Sequence, residues 1–257
     1  MYHEIYRPEE RDRLRGLTNP AYNTEVNVFR RQMAYLHAKG MKTLVIDELL
    51  FKETSTQEER AICLTFDDGW RGNYLNAYPI LKGYGFKATF FVATDLIGKP
   101  SYMNWEHLKE MVTNGMSIQS HTVTHRPLAH MGGERVLFEL SESKRVIEER
   151  LEREVRHLSL PHGIKDERIW DLAQGTGYKS ICTSDVGFQT LDNNEPWLKR
   201  IAIGDKISLD HFHMIAEGKN HSIFGMTVSK NLKNVVKWSI GINNYQNLYR
   251  RIYGKKT

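Results

Sequence analysis

Cysteine is nearly absent from this chain. Cys63 and Cys182 are the only two in 257 residues, which excludes a disulfide framework and a cysteine-rich zinc site. Both sit inside apolar stretches and read as buried free thiols, in keeping with a reducing compartment. Long apolar runs are missing too. None approaches the ~20 residues needed to span a bilayer, and the opening MYHEIYRPEERDRLRG is charged where a secretory signal would be apolar. The expectation is a cytoplasmic protein, with a signal removed before residue 1 as the other reading. Acidic residues are absent from the carboxyl-terminal stretch: residues 218–257 carry eight lysines and arginines and no Asp or Glu, leaving 28 basic against 31 acidic residues elsewhere. The net charge of +5 therefore belongs to the tail and not to the body of the protein.

What remains is ordinary for a soluble globular chain, with 40% hydrophobic and 26% charged residues and material for a sizeable core. No internal repeat or low-complexity segment appears. Strand-like and helix-like segments alternate instead. Val26, Phe29, Met33 and Leu36 mark one helical face, which Gly40 can end. A short strand is expected at 44–46, then a polar loop or exposed helix, KETSTQEER, then a buried strand AICLTF at 61–66 ending in DDGW. Tyr74, Ala77, Tyr78 and Leu81 suit a helix, followed by the strand ATFFVA, the helix NWEHLKEMV and the strand SIQS. A long charged helix is lined by Val136, Leu140, Ile147 and Leu151; VRHLSL and KSICTS read as strands around a helix at 166–174. The apolar IAI and a helix through Leu209, Phe212 and Ile215 complete the series. Such alternation implies a parallel sheet, either a (β/α) barrel or an open doubly wound sheet, and both place chemistry at the carboxyl ends of strands.

Two clusters carry that chemistry. Asp67 and Asp68 follow a buried strand, and Gly69 opens a turn that can present both carboxylates to one cleft; by itself the triplet is a common turn. His121 and His125 are four residues apart, so on one helical face they can share a metal ion. With Asp68 as an anionic third ligand they make a site open to water and substrate. Zinc is the default for this donor set, and cobalt, nickel, manganese or iron(II) also fit it.

The segments Thr65-Phe66-Asp67-Asp68-Gly69 and His121-Thr-Val-Thr-His125-Arg-Pro-Leu128 together resemble the first two motifs of the polysaccharide deacetylase family, also called the NodB-homology or carbohydrate esterase 4 family. The strand order from Tyr2-His3 to about residue 217 fits as well. The resemblance implies a distorted (β/α) barrel of about seven parallel strands over residues 1–217, with 218–257 as a basic extension. It implies Asp67 as catalytic base and Asp68, His121 and His125 as metal ligands. The implied reaction is removal of N-acetyl groups from an amino sugar or N-acetylglucosamine-containing polysaccharide.

The sequence departs from the family pattern in two places. Ser159-Leu160-Pro161-His162-Gly163 stands where the family has Arg-x-Pro-aromatic, so the arginine that orients the base is missing. Pro161 keeps the turn and the backbone N–H of His162 can face the oxyanion, while Arg200 is either a replacement from another strand or a surface arginine. The late Leu-x-x-His motif that supplies the acid is not evident, and His162 is a candidate for that proton because imidazole titrates near neutral pH. His211 and His213 read as ordinary helix residues. The drift is closest to the exopolysaccharide and poly-N-acetylglucosamine branch. Trp70, next to the DDG turn, is a candidate platform for a sugar ring, with core packing as its other reading. The tail, with Trp238 among regularly spaced cations, can pack on the barrel or lie on an anionic membrane surface; no motif points to nucleic acid. Alternatives to N-deacetylation are an O-acetyl esterase, an N-deformylase acting on a sugar, or a carbohydrate-binding protein with a decayed site.

Overall fold

A computed structural model describes residues 1–14, 16–51, 61–189 and 196–228. In chain order the elements are β1 (Ile5–Tyr6), β2 (Thr24–Glu25), α1 (Val26–Ala38), β3 (Lys42–Leu44), α2 (Ile46–Phe51), β4 (Ala61–Cys63) and β5 (Thr65–Phe66). Then follow α3 (Tyr78–Gly83), β6 (Thr89–Val92), α4 (Trp105–Thr113), β7 (Ser117–Ser120), α5 (Gly133–Leu151), β8 (His157–Ser159), α6 (Glu167–Gly175), β9 (Ser180–Cys182), β10 (Trp197–Leu198) and α7 (Leu209–Ala216).

Six of these strands form one sheet in the order β5-β6-β7-β8-β9-β10, every pair parallel. The sheet curls into a distorted (β/α) barrel. The place of a seventh strand is taken by the first residues: Tyr2 forms a parallel bridge to Phe66, and the Ile203 N–H donates to the Met1 carbonyl at 2.8 Å. Residues 1–2 thus lie between β5 and the apolar segment at 201–203.

β6 has the sequence Thr-Phe-Phe-Val and is buried at all four positions, as a parallel strand covered on both faces must be. Alternation sends Phe90 outward, where it stacks on Phe66 at 4.5 Å between sheet and helices. Phe91 belongs to a separate cluster with Ile46, Cys182 and Leu198. α1 contributes Phe29, Met33 and Leu36 to the outer core; α5 contributes Val136, Leu140, Ile147 and Leu151.

Three local expectations change. The run at 61–66 divides at Leu64: β4 pairs with β3, whereas β5 pairs with β6. Ile46 opens α2 instead of ending a strand, because the Glu48 carboxylate accepts the Val45 N–H at 3.2 Å and acidic residues favour a helix start. The helix expected from Tyr74 begins as a π-helical turn, Asn73–Ala77. KETSTQEER and most of the basic tail, Trp238 included, lie outside the described residues. None of the described helices is long and apolar enough to cross a membrane.

Candidate active site

The carboxyl ends of β5 and β7 meet the segment leaving β10. After Phe66 the chain turns sharply, with Asp68 at φ 73° and Gly69 at φ 79°. Aspartate tolerates this left-handed region better than most residues. The turn sends the two adjacent carboxylates to different partners.

Asp67 is buried and meets Arg200. Arg200 Nη1 donates to Asp67 Oδ1 at 2.7 Å and Nη2 to Oδ2 at 2.8 Å. Ser159 donates to Oδ2 at 3.0 Å and accepts from Arg200 Nη2 at 2.8 Å, while Arg200 Nε donates to the Thr183 carbonyl at 3.0 Å. The surface reading of Arg200 is therefore corrected: it is only 7% exposed, because a guanidinium fork satisfied on three sides can be buried opposite a carboxylate. Burial pushes the Asp67 carboxyl up, but the charge and hydrogen bonds of Arg200, together with the nearby His121 and His3 imidazoles, outweigh it and hold the group at about 2.

Asp68 faces the histidines. Its Oδ1 lies 3.2 Å from His121 Nε2 and 3.0 Å from His125 Nε2. Burial opposes its charge, yet the two imidazole contacts keep its carboxyl well below the ordinary range. His121 Nδ1 lies 2.8 Å from the Ser159 carbonyl. A carbonyl only accepts, so Nδ1 carries a hydrogen and Nε2 is left facing the site.

The two histidines do not share a helical face. Thr122 (φ 69°) and His125 (φ 58°) lie in the left-handed region, which no right-handed helix contains. The turn is built instead around Glu139 on α5. That buried carboxylate accepts the Val123 and Thr124 N–H groups at 2.9 and 2.8 Å, the Thr124 hydroxyl at 2.8 Å and Arg135 Nη2 at 2.9 Å. The His121 and His125 rings thereby come within 4.8 Å, centroid to centroid.

The donor atoms of Asp68, His121 and His125 lie within 4.8 Å of one another. One carboxylate and two imidazoles, one of them oriented by a backbone carbonyl, are a donor set that fits a divalent ion.

The remaining expected residues separate. His162 is exposed, sits at φ 62° and lies 5.4 Å from His125 between ring centroids. Pro161 is buried in the same turn. Gly163 admits no side chain there, since a Cβ would lie 2.0 Å from Ser184 Oγ. Trp70 is not an open sugar platform. Its ring is 5% exposed and stacked under Tyr102 at 4.5 Å, and its Nε1–H donates to Asp68 Oδ2 at 2.9 Å.

The residue-by-residue reading missed His3. Tyr2 faces outward onto Phe66, so alternation turns His3 inward beside Asp67, whose N–H donates to the Tyr2 carbonyl at 3.0 Å. The ring stacks on Tyr22 at 4.8 Å, and its buried Nδ1 has no hydrogen-bond partner among the described residues. Burial lowers the His3 pKa, opposed by the charges of Asp68 and Asp67. Nothing local in the sequence marks this residue; the parallel pairing of residue 2 with residue 66 does.

The family model "Polysaccharide deacetylase" matches residues 54–181. YxkH of Bacillus subtilis (strain 168) is 32% identical over 182 residues, covering 70% of this chain, and the chain spans 65% of that relative's length. The poly-beta-1,6-N-acetyl-D-glucosamine N-deacetylase of Staphylococcus aureus (strain MRSA252) is 24% identical over 199 residues, 72% of this chain and 69% of its own. Among solved structures, the Streptococcus pyogenes deacetylase PplD in complex with acetate superposes with a TM-score of 0.72 at 29% identity, over 81% of this chain and 92% of that one. BC0361, a polysaccharide deacetylase from Bacillus cereus, has the same fold, with a TM-score of 0.74 at 24% identity over 84% of this chain and 67% of that one.

Proposed function

Since the chain belongs to the polysaccharide deacetylase family, we propose that it is a metal-dependent hydrolase removing N-acetyl groups from an N-acetylglucosamine-containing polysaccharide. The observation that carries this reading is the division of labour between neighbours: Asp68 converges with two histidines, while Asp67 is held ionised by Arg200. The S. aureus relatives, named poly-beta-1,6-N-acetyl-D-glucosamine N-deacetylases, favour a β-linked glucosamine polymer as substrate.

A divalent ion held by Asp68, His121 and His125, zinc by default, would supply a Lewis acid that polarises the acetyl carbonyl and makes water more acidic. Asp67 takes the proton from the attacking water. Its Oδ2 already accepts from Arg200 and Ser159, whereas Oδ1 accepts one bond from Arg200 and keeps a lone pair for that proton. Arg200 and Ser159 hold the carboxylate in one orientation, the work assigned in the family pattern to the arginine that Ser159 replaces. This speaks against one of the two grounds for reading the site as decayed, the missing arginine. The leaving amine needs a proton, and His3 is a second candidate donor: it turns inward beside Asp67 with a buried Nδ1 that has no hydrogen-bond partner among the described residues, whereas His162 is open to solvent. Breakdown of the tetrahedral adduct then releases acetate and the glucosamine amine.

The test is acetate release from N-acetylglucosamine oligomers by the zinc-loaded protein. Asp67→Asn is expected to abolish it, His3→Asn to lower kcat, and His162→Ala to act less than His3→Asn. Undiminished turnover by Asp67→Asn overturns the assignment of the base, and release from O-acetylated sugars alone favours an esterase.

A further inference from the structure

Asp68 has two oxygens, and they are treated differently. Oδ1 faces both imidazoles, at 3.2 and 3.0 Å; Oδ2 receives the indole N–H of Trp70 at 2.9 Å. We propose that Trp70 is a positioning residue for the ion, reserving Oδ2 so that Asp68 ligates through Oδ1 alone. The proposal rests on the metal reading of Asp68, His121 and His125.

The indole suits this task for two reasons. It is a donor only and carries no charge, so it orients the carboxylate without neutralising it. Asp67 has the opposite partner, a guanidinium on both oxygens, and is thereby kept for proton transfer instead of ligation. The two halves of Asp67-Asp68 are thus distinguished by what each hydrogen-bonds to.

The ring is also unable to swing away. It is 5% exposed and lies against Tyr102 at 4.5 Å with the planes 22° apart. Trp70 and Tyr102 form an antiparallel bridge. On either side of it, the Arg71 N–H donates to the Ser101 carbonyl at 2.7 Å and the Met103 N–H to the Gly69 carbonyl at 2.9 Å. The loop carrying Tyr102 therefore clamps the indole, and the indole clamps the ligand. One carboxylate oxygen and two imidazoles leave coordination positions for water and a substrate oxygen; a bidentate carboxylate would occupy one of them.

Trp70→Phe keeps the stacked ring and removes the N–H. It is read in the full chain by competition for Zn2+ against a chromogenic chelator, and by the visible spectrum of the Co2+-substituted protein, which reports coordination number. Loss of an outer partner of a ligand is expected to weaken Zn2+ binding about 10- to 100-fold and to shift the Co2+ bands toward higher coordination, with the near-ultraviolet circular dichroism of a folded chain. Wild-type Zn2+ affinity and an unaltered Co2+ spectrum in Trp70→Phe would overturn the proposal. Should that variant fail to fold, Tyr102→Ala, which leaves the indole but frees it, is expected to weaken Zn2+ binding in the same direction; no change there overturns the proposal as well. A wild-type chain that binds no Zn2+, with Asp68→Asn no different, overturns the metal reading itself.

Discussion

Arg200 and Asp67, 133 residues apart in the chain, form a buried two-pronged ion pair with N–O distances of 2.7 and 2.8 Å. The pair fixes the orientation of the Asp67 carboxylate, the proposed base, from the segment that leaves β10.

Arg200→Lys is expected to keep the charge and lose the fork. Misplacing the base should lower kcat by about 100-fold while the KM for N-acetylglucosamine oligomers changes little. Arg200→Ala leaves a buried carboxylate unpaired, and a loss of about 3–5 kcal/mol in denaturant unfolding is expected. A fully active Arg200→Ala protein would sever Arg200 from the mechanism.

The same pair sets a pH dependence. The Asp67 carboxyl is held at about 2 in the folded protein, below the ~3.9 of an unfolded aspartate. A depressed folded value contributes stability that is fully present above the unfolded value and lost as pH falls through the folded one. Unfolding followed between about pH 4 and pH 2 should therefore show wild type losing on the order of 2 kcal/mol that Asp67→Asn does not lose. Parallel acid profiles for the two proteins would contradict this.

Glu139 is a further target that touches neither substrate nor ion. Four donors converge on its carboxylate, and they hold the His121–His125 turn in its left-handed path. Glu139→Gln replaces one acceptor oxygen with an NH2 group facing donors, and a loss of about 1–3 kcal/mol is expected. Zn2+ affinity should fall with it, about 10-fold or more. Thermal melts with and without Zn2+ separate the two effects: a lowered melting temperature with an unchanged Zn2+-induced shift would mean that the turn holds its shape without Glu139.

Metal removal supplies the remaining check. Dialysis against a chelator is expected to lower Tm and abolish acetate release, both restored by Zn2+, because an ion that binds only the folded chain stabilises it by mass action. In His125→Ala the Zn2+-dependent rise in Tm should disappear. An equal rise in that variant would place the ion elsewhere.

The strands, the outer helices and the cluster of Asp68, His121 and His125 were legible because their signals are local. Phe29, Met33 and Leu36 are periodic on one helix, and Asp68, His121 and His125 each follow a short buried strand in a two-motif pattern. The turn at 121–125 was not legible as a turn, since four-residue spacing suits a helix equally well and only Glu139, 14 residues beyond His125, decides against it. Nor could periodicity tell that AICLTF would serve two different sheets.

What the sequence by itself determined is which side chains can ligate and which can take a proton, because that is a property of residue type and immediate spacing. What only the tertiary structure decided is who stands next to whom. Arg200 meets Asp67 from the segment after β10, His3 turns inward beside Asp67, and Trp70 is buried with its N–H on the carboxylate of Asp68. Hydrophobic alternation states which face a side chain takes, whereas strand order and the pairing of residues 1–2 with β5 set its neighbours. Those follow from packing the whole sheet into a curl, and no short stretch of sequence contains them.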